Sequence, residues 1–147
     1  MESASAPFKV LGTLAIIAAG LIAAAIAYHP TKPIVWMVAY LVLVAGVVQY
    51  VLGAAQATLA TRRLSATTIW SQWTLLNLGH AGVIAGTLAA SLPTLAGGTI
   101  LYDLAMLWMG LSVRDGKPGP ARIGYWLLVL AMLASSFTGI ILTLRGD

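Results

Sequence analysis

Five apolar runs, each near the length that crosses a bilayer, take up most of the 147 residues and decide what the chain can fold into. They span Phe8 to Tyr28, Ile34 to Ala60, about Ile69 to Ala90, about Leu95 or Thr99 to Val113, and Ile123 to Leu144. A hydrocarbon core needs ~20 helical residues to cross it. Short breakers stand between the runs: His29-Pro30-Thr31-Lys32-Pro33, Thr61-Arg62-Arg63, Ser91-Leu92-Pro93 and Arg114-Asp115-Gly116-Lys117-Pro118-Gly119-Pro120. Pro and Gly in such places end helices. No stretch alternates apolar and polar residues with period two, which argues against a β-barrel. The expected fold is all-α: one transmembrane domain over residues 1–147, with five helices at about 8–28, 34–60, 69–90, 95–113 and 123–144. Short loops make sequential helices antiparallel neighbours.

The first run also has the outline of a signal peptide, with Lys9, a long apolar stretch and Ala25-Ile26-Ala27 as an A-x-A site. Its apolar core from Val10 to Ala27 exceeds the usual ~7–15-residue signal core, so an uncleaved helix is expected. Cleavage would leave four helices.

Composition supports the same class. Apolar residues make up 60% of the chain and charged residues 8%, against about 25% charged in soluble domains. This excludes a soluble enzyme, a disordered chain and a nucleic-acid-binding domain. The net charge of +4 forms neither a basic helix face nor a long run of like charges. The basic residues flank the apolar runs, as topology signals do. With the N-terminus inside, Lys9, Arg62, Arg63, Arg114, Lys117 and Arg122 lie on the inner side, and only Lys32 and Arg145 on the outer. The expected orientation is N-in, C-out. Trp36 falls at the outer interface, and Trp70, Trp73, Trp108 and Trp126 fall near the inner one, as an aromatic belt. The expected location is integral and multi-pass, in a bacterial inner membrane, with the lipid bilayer as first partner and no nucleic acid. The chain has no cysteine, which excludes disulfides, iron–sulfur ligation, thiolate metal sites and cysteine nucleophiles.

The second run carries the most regular pattern. Ala39, Gly46, Gly53 and Ala60 recur every seven residues, as do Val42, Gln49, Gln56 and Arg63. In lipid, small residues let helix backbones approach, and amides bond across helices. Gly46 and Gly53 are therefore expected at a helix seam, and Gln49 and Gln56 there or along a polar path. In the third run Trp73, Asn77, His80, Ile84 and Thr87 share one direction. Leu75, Gly79, Gly82 and Gly86 share another, about 130° away. Gly79, Gly82 and Gly86 read as a close-packing face. His80 and Asn77 read as a polar one, because an intramembrane ionisable residue usually faces a bundle interior or a cavity.

Asp103 is the one charge within a run and away from a loop; the others lie in tails, loops or near run ends, with Arg145 and Asp147 closing the chain. Counted from the loop between the third and fourth helices, His80 and Asp103 lie within about 5 Å of the same depth. A contact between them needs the right rotation of both helices. Ser135, Ser136, Thr138, Gly139 and Thr143 of the fifth run read as packing residues.

The chemistry this permits is limited. A b-type haem wants one or two histidine ligands. His80 is placed for one, but His29 lies on the order of 15 Å away in depth. Haem b or a quinone at His80 is one candidate. A second is proton handling by His80 and Asp103 in a homo-oligomeric channel or carrier, with Asn77, Gln49 and Gln56 in support. Two histidines, no cysteine and one buried carboxylate do not make a protein-only transition-metal site. No hydrolytic motif occurs, so the chain is not expected to be an enzyme by itself. The leading expectation is a small membrane accessory or interaction subunit that binds other membrane chains or itself, with a respiratory or other bioenergetic complex as its candidate setting.

Overall fold

The structure, a computed structural model, describes residues 2–145; Asp147 lies outside them. Helix accounts for 85% of the chain and no strand occurs among the described residues, so the protein is all-α. In order these are α1 (Glu2–Ala25), α2 (Lys32–Tyr40), a π-helical segment (Leu41–Val48), α3 (Gln49–Leu59), α4 (Ala66–Leu88), α5 (Leu92–Ser112) and α6 (Pro120–Arg145). α2, the π segment and α3 follow one another as one 28-residue rod, Lys32–Leu59.

Four helices among the described residues are long and apolar enough to cross a membrane: Ala4–Ala25, Lys32–Leu59, Leu92–Ser112 and Pro120–Arg145. They mark a membrane protein. α4 has the length, at 23 residues, but is not one of the four. Ser71, Gln72, Asn77 and His80 dilute its apolar content. It carries the candidate polar residues Asn77 and His80.

Several helices begin earlier than the apolar runs do, because a helix starts at its cap and not at its first apolar residue. α4 starts at Ala66, where Ser65 is N-cap and its Oγ accepts from Thr68 N–H at 3.0 Å. α5 starts at Leu92 with Pro93 in the first turn, where a missing N–H leaves no bond unmade. Gly97 and Gly98 lie inside α5 and no break interrupts it. α1 runs back through Pro7 to Glu2.

The chain forms two compact units, dividing after Thr58. In the first, α1 runs antiparallel to the rod. A Cβ added at Gly53 would lie 2.3 Å from Phe8 Cβ, one at Gly12 2.8 Å from Gly46 O, and one at Gly46 2.5 Å from Ile16 Cγ1. The π segment alters the seven-residue stripe read from the sequence. Gln49 N–H bonds Val44 O, five residues back, so this stretch winds more residues into each turn. Gly46, Gln49, Gly53 and Gln56 are buried, but Ala39, before the π segment, is exposed. A stripe extrapolated with one helical period cannot continue through a change of period.

In the second unit α4 and α5 form a hairpin whose backbones touch. A Cβ added at Gly79 would meet Tyr102 N at 2.6 Å, at Gly82 Gly98 Cα at 2.6 Å, and at Gly86 Leu95 N at 2.3 Å. The pairs 79–102, 82–98 and 86–95 fix an antiparallel register. The connection is three residues long. Ser91 N–H bonds Gly86 O at 2.8 Å and Ala90 N–H bonds Thr87 O at 3.3 Å, a Schellman closure. Ala90 holds the left-handed position with φ 50°. At the other end, α6 docks where a Cβ on Gly110 would meet Trp126 Cη2 at 3.0 Å. Arg122 Nη1 ties the α5–α6 loop by donating to Gly116 O and, at 3.2 Å, to Arg114 O.

Two outcomes follow for the hairpin. Gly98→Ala forces backbone apart and is expected to cost about 1–3 kcal/mol, whereas Gly97→Ala, which meets nothing within 4 Å, is expected to gain up to about 1 kcal/mol. Ala90→Gly removes left-handed strain and is expected to gain about 1 kcal/mol. Unfolding of the purified protein in mixed detergent micelles, followed by circular dichroism, measures all three.

Candidate functional site

The polar residues of the second unit are placed by the α4–α5 seam. On α4 the buried residues are Ile69, Gln72, Leu76, Gly79, His80, Val83 and Gly86. The centre of this face falls between the two directions read from the sequence, so glycines and His80 are buried together. Helical rotation then leaves Trp73 and Asn77 on its flank, half-buried. Asn77 Nδ2 donates to Trp73 O of its own helix at 2.7 Å.

His80 is 4% exposed. Its ring lies 5.3 Å from the Tyr102 ring at a tilt of 50°, directly beside the Gly79–Tyr102 backbone contact. One helical position further, Asp103 turns to α6. Successive helical side chains diverge by about 100°; here Tyr102 lies against His80 of α4, and Asp103 meets Ser136 of α6. Ser136 Oγ lies 2.7 Å from Asp103 Oδ1 and 2.8 Å from Leu133 O. The register places His80 and Asp103 level, as their depths suggest, but gives them different neighbours: Tyr102 for the histidine, Ser136 for the carboxylate.

A second buried polar contact crosses the seam at the end far from the α4–α5 connection. Gln72, fully buried, donates through Nε2 to Ser112 Oγ at 2.9 Å, and Ser112 Oγ donates to Trp108 O at 2.9 Å. Sequence reasoning passed over both residues. Their signal was present: Gln72, Gly79 and Gly86 are spaced by seven, so an amide precedes the glycines on one stripe. Tyr102, Tyr125 and Ser136 were also missed as partners or buried polar groups. Tyr125 is 4% exposed and its hydroxyl has no hydrogen-bond partner among the described residues.

Gln49 and Gln56 belong to the first unit, and both are buried. Neither amide atom of Gln49 has a hydrogen-bond partner among the described residues. Gly46 and Gly53 lie where α1 crosses the rod.

Among the described residues no three His, Cys, Asp or Glu side chains gather to hold a metal ion. Backbone contact at Gly79 leaves no room for a macrocycle between α4 and α5 at the level of His80. His29 is exposed in the turn between α1 and α2. The arrangement is suited to holding a carboxyl group against a hydroxyl within an apolar layer, and to joining helices through small residues.

Comparison with protein-family models, with curated proteins and with solved structures finds no match for the chain.

Ser112→Ala removes the acceptor of Gln72. Interhelical bonds of this kind contribute about 0.6–2 kcal/mol in membrane proteins, and a loss in that range is expected in the same unfolding measurement. Unchanged stability would show that Gln72 gains nothing from the bond.

Proposed function

We propose that the chain is a small multi-pass subunit of a bacterial inner membrane whose packing is completed by another membrane chain or by further copies of itself. In this reading five helices cross, α4 included, with the N-terminus inside as the basic residues suggest. The polar content of α4 is tolerated because its polar face is turned inward.

The observation that carries the proposal is the outer side of α6. Of its 26 residues only Tyr125 and Val129 are buried. These, with Ser136, form the side toward α5. About 120° away, at 100° per residue, Gly124, Ala131, Ser135, Thr138 and Leu142 form a stripe that is exposed along its whole length. A Cβ at Gly124 or Gly139 would meet nothing within 4 Å. A glycine inside a helix costs about 1 kcal/mol relative to alanine, and close approach of a second helix is what offsets this at Gly79, Gly82 and Gly98. On α6 neither α4 nor α5 takes up the equivalent surface among the described residues of the second unit.

Native mass measurement of the full-length protein in mild detergent tests this. A mass above one chain is expected, as an integer multiple for self-association or with a second polypeptide for an accessory subunit. Ser135→Leu is expected to lower it toward the single chain without disturbing the α4–α5 hairpin. A stable lone monomer in lipid nanodiscs would overturn the proposal.

A further inference from the structure

Asp103 lies in the middle of α5, an apolar helix with no other charged residue. It is half-buried, and its partner is a serine hydroxyl, not a cation. The helices packed against α5 supply no counter-charge. α4 contains no Asp, Glu, Lys or Arg, and its one titratable group, His80, lies against Tyr102. α6 carries charge only at Arg122 and Arg145. Along the helix axis these stand roughly 21 Å and 13 Å from Ser136. An ionised carboxylate in hydrocarbon persists only when paired or well hydrogen-bonded.

Hydrogen counting at Ser136 decides between the forms. Its Oγ is 2.7 Å from Asp103 Oδ1 and 2.8 Å from Leu133 O. A serine hydroxyl has one hydrogen, and two oxygen acceptors face it. With a bare carboxylate, one of the two short contacts is left without a full hydrogen bond. With a proton on Asp103, both are satisfied: the carboxyl O–H donates to Ser136 Oγ, and the serine O–H donates to Leu133 O. At these separations hydrogen positions are assigned from the network, and only the second network gives each oxygen pair a hydrogen.

We propose that Asp103 and Ser136 form an intramembrane proton-binding site on the α5–α6 face, with Asp103 held as a neutral acid that exchanges its proton from that face. The site is separate from the His80–Tyr102 contact. It rests on α5 and α6 being membrane spans and does not depend on how the chain assembles.

Dicyclohexylcarbodiimide, which adds to protonated carboxyl groups in apolar surroundings, is the probe. Full-length protein in its membranes is treated at neutral pH, and the adduct is mapped by mass spectrometry. One adduct per chain is expected, on the peptide containing Asp103, lost in Asp103→Asn and indifferent to replacement of K⁺ by Na⁺. The infrared carbonyl band of a protonated acid is expected in the wild type and not in Asp103→Asn. It shifts in Ser136→Ala, where its hydrogen bond is lost, and stays in place in Ser135→Ala. Absence of both label and band in the wild type means an ionised Asp103 and overturns the proposal. Protection by Na⁺ at constant pH means a metal-cation site and overturns it too. Release of the protein from membranes by alkaline washing overturns the span reading itself, independently of the label.

Discussion

Backbone contact between α4 and α5 is the constraint on which the second unit depends. Lipid tails are as apolar as leucine side chains, so burial from water cannot hold two membrane helices together. Close packing and a few polar bonds must do so. Gly79, Gly82, Gly86 and Gly98 bring the two backbones within reach of a single absent Cβ. That distance fixes the register residue by residue, and the register then fixes the chemistry. Gln72 meets Ser112, His80 meets Tyr102, and Asp103 is turned away from α4 toward Ser136.

The first unit solves the same problem with a different local device. α1 lies on Gly46 and Gly53 of the rod, and between α2 and α3 the rod takes on π winding. The wider turns re-aim the residues that follow, so Gln49 and Gln56 fall on the buried side while Ala39 does not. Segments of this winding recur at functional positions in helices, and here the first residue after it is a buried amide whose polar atoms lack a partner among the described residues. In hydrocarbon such a group is costly, which sets Gln49 apart from the glycines beside it.

Much of this was legible in the residues. The apolar runs announced the helices, because the length that crosses a bilayer is a property of the chain alone. The Gly82-x-x-x-Gly86 spacing marked a close-packing face, and Asp103 stood out as the one charge away from any run end. The failures share a cause. Apolar runs place helix ends where apolar residues stop, yet α4 begins at its Ser65 cap and α5 one residue before Pro93 of its first turn. The two faces of α4 were drawn as separate, although a face about 100° wide or more covers glycine and histidine together. Counting residues puts Asp103 and His80 near one level and leaves their rotation open, since level follows from counting and rotation does not.

The sequence by itself determined the class of protein, the approximate number and length of its helices and the isolation of one carboxyl group in an apolar span. These follow from how many residues a helix needs and which side chains hydrocarbon tolerates. Only the tertiary structure decided which neighbour each polar side chain meets. Asp103 binds Ser136, thirty-three positions away in the chain, because the glycine seam consumes the other side of α5. No periodicity within α5 or α6 encodes that choice; it depends on how closely two backbones can approach.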